Sequence, residues 1–270
     1  MTSPDPCVDA ADTLCFARID SSGGPLDTGD CVLADGDVDV WAFSLAAHPR
    51  DIAQWSLLLC DDECQRAGRF MHAADRDAYV VAHGVVRRLL ACYSGIAPGA
   101  LKLGRTAGGK PVQDEPLGGH ALRFNLAHSG DGALLAVSRS CEVGVDLEVA
   151  RTEIDMLSVA ARFFDEAERE AVAGTPDALR ADVFFRYWVA KEAALKAQGC
   201  GLAYPLDGFA IRFSETGSTA SVISKDTVAM RSDWLVRMLP MPLGWYGALC
   251  APRDCTPRLR RYPAHAVVEA

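Results

Sequence analysis

Two long amphipathic stretches, residues 74–93 and 178–198, constrain this chain more than any other feature. Each follows shorter helical segments and precedes runs of alternating character, so one order of elements occurs twice in 270 residues. Laying "YVVAHGVVRRLLACYSG" over "FFRYWVAKEAALKAQGC" matches aromatic to aromatic at the start and small or apolar residues along one face. This fits two related α+β halves meeting near residue 140, although two amphipathic helices can also align so by chance.

The finer pattern fills in the elements. "VDVWAFSL" alternates like a strand, "DIAQWSLLLCDDECQRAGRF" reads as helix, and "LRFNLAH", "GALLAVSR" and "EVGVDLEV" read as neighbouring strands of a mostly antiparallel sheet. Helices are predicted over 153–164 and 165–173, and strands near 208–213, 219–224, 233–238 and 244–250. The division is therefore an irregular arm over 1–36, one half over 37–140 and a second over 141–270.

Half of the residues are hydrophobic, enough for a sizeable core, and the net charge of −9 argues against broad attraction to nucleic acid or anionic lipid. No leader pattern and no membrane-length apolar run is found, so a soluble, cytoplasmic monomer is expected. The ten cysteines lack zinc-site spacing and read as scattered reduced thiols.

Charge intrudes on two apolar patterns. In "EVGVDLEV" the alternation sends Val143, Val145 and Leu147 to one face and Gly144, Asp146 and Glu148 to the other. The two acids then stand about 6.5 to 7 Å apart along the strand. A wet face is the simple explanation, but Gly144 leaves room for something to approach the backbone. In "RYWVAKEAALKA", Lys191 and Glu192 interrupt the stripe of Phe184, Trp188 and Leu195. An exposed Glu192–Lys196 pair at i and i+4 accounts for the glutamate and not for Lys191. If the stripe faces a cleft, Asp146, Glu148 and Glu192 form an all-oxygen set suited to Mg²⁺. Basic residues that could meet an anion are Arg66, Arg69 and Arg76 at the entry to the first long helix, Lys110 in "GRTAGGKPV", and His128 at a strand end. Neither a P-loop nor a dinucleotide fingerprint is present.

Taken in order, "GRTAGGKPV", "FNLAHSG", "GVDLE" and "FFRYWVAKEAALKAQGCGL" resemble the Sfp-type 4′-phosphopantetheinyl transferases, over roughly Trp41 to Ala251. The resemblance implies two similar α+β halves in a pseudo-twofold arrangement with the active site at their interface. It implies transfer of the phosphopantetheine arm of coenzyme A, the co-substrate, to a serine of an apo acyl or peptidyl carrier domain, releasing 3′,5′-ADP. It implies Asp146, Glu148 and Glu192 as Mg²⁺ ligands, and Glu192 and Lys196 as catalytic groups. Lys110, His128 and Lys196 would contact coenzyme A, with Arg66, Arg69 and Arg76 near its nucleotide. Lys191 would orient Glu192 or touch phosphate, and Trp188 would pack beneath the site. Ala127 departs from the family's usual serine, removing a hydroxyl that could meet phosphate. The loop "GCGLAYPL" and the segment "RLRRY" are candidate carrier-docking patches. A Mg²⁺-dependent hydrolase of the same pyrophosphate, or a non-catalytic carrier-binding homologue, are the rival readings.

Overall fold

A computed structural model describes residues 13–16, 31–114, 121–199, 204–225 and 230–262. The first half comprises β1 (Asp37–Ser44), α1 (Pro49–Ser56), α2 (Asp61–Ala67), α3 (Ala73–Ser94), β2 (Leu103–Arg105), β3 (Pro111–Gln113), β4 (Arg123–Ser129) and β5 (Gly132–Ser138). The second comprises β6 (Gly144–Val149), α4 (Met156–Phe163), α5 (Glu166–Ala173), α6 (Asp177–Gln198), β7 (Phe209–Phe213), β8 (Thr219–Ser224), β9 (Trp234–Leu239), β10 (Trp245–Pro252) and β11 (Thr256–Arg261). The single helix expected over 51–70 is two, α1 and α2. Cys60 starts the second, and its backbone N–H donates a capping bond to the Glu63 carboxylate.

Two sheets stack face to face, ordered β11-β1-β5-β4 and β6-β10-β9-β8-β7. The strand period of two explains how each buries both faces. From β1, Val38, Val40 and Ala42 meet Val145, Leu147, Leu249 and Ala251 between the sheets. Trp41 and Phe43 point the other way, onto Val81, Val85 and Leu89 of α3. On the far side, Phe209, Ile211, Val236 and Ala248 pack against Val189, Ala193 and Ala197 of α6. The order of layers is therefore α3, first sheet, second sheet, α6. Among the described residues no helix is long and apolar enough to cross a membrane.

The repeat is legible in chemistry as well as in shape. The helices α3 and α6 are each 22 residues long and end on a left-handed glycine, Gly95 and Gly199. The caps set the offset between the halves at 104 residues, one less than the overlay of the two sequences gave. At the same offset, Arg87 of α3 and Lys191 of α6 are both fully buried cations. Arg87 pairs with Glu63, the capping-box glutamate of α2, at 2.5 Å, and Lys191 pairs with Glu168, the capping-box glutamate of α5, at 2.6 Å. Each cation also donates to backbone carbonyls beyond its own helix, Arg87 to Pro98 and Leu101 and Lys191 to Phe209. One device thus locks the long helix of each half to a short one.

Several expectations change here. Lys191 neither orients Glu192 nor faces a ligand, because its ammonium is consumed by Glu168 and Phe209 O on the side of α6 away from Asp146. Trp188 packs with Phe163, Phe164 and Phe184 among α4, α5 and α6. The segment "RLRRY" is β11, which crosses back to pair in parallel with β1 of the first half. Its arginines are engaged: Arg258 binds Asp37 and the buried Asp39, Arg260 reaches Asp39, and Arg261 donates to Thr13 O. Its charges are thus paired within the fold. Of "GCGLAYPL", residues 200–203 lie outside the described residues. Within the arm, Leu14 is buried and donates its N–H to Pro240 O, so this short piece is docked. Four thiols expected to be reduced form disulfides, Cys31–Cys92 and Cys141–Cys255. Sequence separations of 61 and 114 residues hid them, since only the folded chain brings such partners together.

Candidate functional site

The strands β4 and β6 are the edges of their sheets, and they meet without a backbone ladder between them. Side chains of β4 replace the ladder. Asn125 Oδ1 accepts from Val145 N–H at 2.9 Å, and Ser129 Oγ accepts from Val149 N–H at 3.2 Å. The seam between the two halves is polar for this reason.

Helix α6 lies directly on the other face of β6, and Gly144 makes that possible. A Cβ there would collide with Ala193 O and the Ala197 backbone. The room beside the acidic pair is therefore taken by a helix backbone. Close packing brings Lys196 onto the strand, its Nζ 2.5 Å from Asp146 Oδ1. Asp146 is almost wholly buried, and its Oδ2 has no hydrogen-bond partner among the described residues. Burial pushes its carboxyl up to about 7; Lys196 opposes the shift, while Glu192 and Glu148 add to it. Burial also raises Glu192, with Lys196 opposing and Glu148 adding. These contributions place Glu148 within electrostatic reach of both Asp146 and Glu192, and Glu192 within reach of Asp146. The tighter arrangement implied by the resemblance is not found: among the described residues, no three His, Cys, Asp or Glu side chains stand together as a ready metal cage. Lys196 lies against Asp146.

His128 sits at the same seam. Lost hydration, then nearby Lys196, lowers its pKa below the usual histidine value, and Glu148 pulls it back up. Its neighbour Ala127 points into the apolar layer between the sheets, with Val145 and Leu147. A serine hydroxyl there would face that layer as well. Lys110 is engaged within the fold. Its Nζ is buried and donates to Glu142 Oε2, Val143 O and Ala197 O at 2.8, 2.9 and 3.1 Å, which uses all three protons. It ties the loop between β2 and β3 to the start of β6 and the end of α6.

Two cavities flank the seam and share Pro111 as a wall. One, of about 310 Å³, is lined by Gly108, Gly109, Lys110, Asn125, Glu192, Leu195 and Lys196. The other, of about 300 Å³, lies in the first half between α2, α3 and the strands β2 to β4; Arg66, Tyr79, His83, Arg105 and Phe124 line it. Arg66 stands 5.8 Å from the Tyr79 ring centre and the His83 ring stacks on Tyr79. The other two arginines expected here do not converge with it. Arg69 bonds Gln65 on the surface, and Arg76 pairs with its neighbour Asp77 beside a separate groove. Sequence reasoning missed Tyr79, Arg105, Asn125 and Ser129, although "GRTAGGKPV" contains Arg105 and "FNLAHSG" contains Asn125 and Ser129.

Comparison with known proteins follows the same division. A family model described as the 4′-phosphopantetheinyl transferase superfamily matches residues 142–236, and one described as 4′-phosphopantetheinyl transferase, N-terminal, matches residues 47–140. The 4′-phosphopantetheinyl transferase HetI of Nostoc sp. is 36% identical over 63% of this chain and 72% of its own length. The human L-aminoadipate-semialdehyde dehydrogenase-phosphopantetheinyl transferase is 30% identical over 69% of this chain and 64% of its own. For Bacillus subtilis Sfp the figures are 26%, 71% and 84%.

Proposed function

This chain belongs to the 4′-phosphopantetheinyl transferase superfamily and moves the phosphopantetheine group of coenzyme A onto carrier proteins, and we propose that the seam of β4, β6 and α6 is where it does so. One observation carries this reading: the buried Asp146, with an orphaned oxygen, under Lys196 and beside Glu192 and Glu148 at the mouth of a cavity.

The cavity in the first half suits the nucleotide end, since Arg66 and Arg105 offer charge, and Tyr79 and Phe124 offer flat apolar surface. The cavity at Glu192 and Lys196 suits the pyrophosphate and the arm. Lys196 supplies a cation to phosphate oxygens on which charge grows as the arm departs. His128, on β4 and held towards its neutral form, offers a hydrogen bond to the same group. Glu192, made more basic by burial, is the acceptor for the proton of the attacking carrier serine.

Asp146, Glu148 and Glu192 also fit a hard divalent cation. An unpartnered buried carboxylate oxygen on Asp146, whose carboxyl is raised by burial and by nearby Glu192 and Glu148, is relieved by added positive charge. Mg²⁺ bound there would neutralise the pyrophosphate and stabilise charge in the transition state.

Incubating the protein and coenzyme A with an apo carrier domain, and weighing the carrier by mass spectrometry, tests the whole reading. Gain of the phosphopantetheine arm, lost on chelation and restored by Mg²⁺, is expected. Free phosphopantetheine without a carrier gain would point to hydrolysis, and full transfer under chelation would remove the cation.

A further inference from the structure

The hydroxyl of Ser129 has no freedom left. Its oxygen accepts from Val149 N–H at 3.2 Å and from Arg151 Nη2 at 3.4 Å, and it donates to Glu148 Oε2 at 2.7 Å. A serine hydroxyl carries one proton and two lone pairs. Because two N–H groups claim the lone pairs, the proton can point only at Glu148. The side chain itself is buried, so water does not compete for either role. Glu148 is therefore held by one oxygen.

We propose that Ser129 is a positioning residue for Glu148, by which β4 of the first half sets one acid of the transfer site in the second. The inference deepens the assignment of Glu148 as a cation ligand and rests on it. A carboxylate on a flexible side chain loses rotamer freedom when it binds a cation. A hydrogen bond that fixes one oxygen in advance lowers that cost, as partners of metal ligands generally do. The seam does not depend on this hydroxyl alone, because Asn125 still holds Val145 N–H. Removing the hydroxyl should therefore leave the fold and loosen Glu148.

The test measures Mn²⁺ binding by electron paramagnetic resonance in full-length protein without coenzyme A or carrier. Wild type is compared with Ser129→Ala, Ser129→Thr, Glu148→Ala and the Ser129→Ala/Glu148→Ala double variant, after thermal melting establishes that each is folded. Ser129→Ala is expected to weaken Mn²⁺ binding about tenfold or more. Ser129→Thr, which keeps a hydroxyl, is expected to restore it. In the Glu148→Ala background the serine change should add nothing, as expected of a residue acting through its partner. Unchanged affinity in Ser129→Ala, alongside a loss in Glu148→Ala, would overturn the positioning role and leave the ligand assignment standing. An equal further loss in the double variant would overturn it too. No Mn²⁺ binding by wild type, or none lost in Glu148→Ala, would overturn the ligand assignment and this inference with it.

Discussion

Lys196 Nζ lies 2.5 Å from Asp146 Oδ1, joining the last turns of α6 to the middle of β6 across 50 residues of sequence. This contact makes one working surface of a strand and a distant helix. Replacing Asp146 by Asn keeps the shape and removes the charge. We expect transfer to an apo carrier to fall by roughly 10²-fold or more, the loss typical of a group aimed at developing charge. Steady-state kinetics with a mass readout checks it, and near-normal turnover would reject the site.

Gly144 should tolerate no side chain. In Gly144→Ala the new methyl meets Ala193 O and the Ala197 backbone, groups that cannot swing aside. A cost of about 1–3 kcal/mol is expected from overpacking. Activity should fall with it, because the displaced helix carries Glu192 and Lys196. Urea unfolding and kcat measured together decide this, and a stable, active variant would refute the close approach.

The buried Lys191–Glu168 pair should behave as a structural lock. Lys191→Met strands Glu168 without its counter-charge, at about 3–5 kcal/mol. Adding Glu168→Gln should recover much of the stability, since no buried charge then remains. If instead Lys191→Met left stability intact and abolished transfer, a catalytic role would have to be restored.

Glu63 gives a pH signature. Burial would raise its carboxyl, but bonds from His83, the Cys60 N–H and Arg87 outweigh that and hold it at about 2, against 4.5 when unfolded. A depressed acid stabilises the fold above its unfolded pKa, and the contribution fades as pH falls from about 4.5 towards about 2. The difference corresponds to about 3 kcal/mol. Urea unfolding between pH 6 and pH 2.5 (roughly the window this linkage sets) should show Glu63→Gln losing less stability than wild type. Parallel curves would contradict the assignment.

Thiol labelling separates the cysteines. Cys15 and Cys64 are exposed and should react in the native protein. Cys250 is buried with its thiol pushed up to about 12, and should not. Cys31, Cys92, Cys141 and Cys255 should label only after reduction and unfolding. Their labelling under native, non-reducing conditions would exclude the disulfides.

The sequence by itself determined what depends on near neighbours. Alternation put Asp146 and Glu148 on one face of β6, helical spacing put Glu192 one turn before Lys196, and the order of motifs identified the family and its α+β repeat. Tertiary structure decided what distant partners decide. Lys110 and Lys191 read from the sequence as cations with no partner, and each meets acceptors that arrive only on folding: Lys110 meets Ala197 O, 87 residues away, and Lys191 meets Glu168 from another helix. Arg69 and Arg76 looked equivalent to Arg66, and the turn of α2 into α3 sends them elsewhere. The course of β11, the disulfides and the hydroxyl of Ser129 follow the same rule. A long or polar side chain takes its role from whichever donor, acceptor or charge the fold sets beside it, and spacing along the chain does not encode that neighbour.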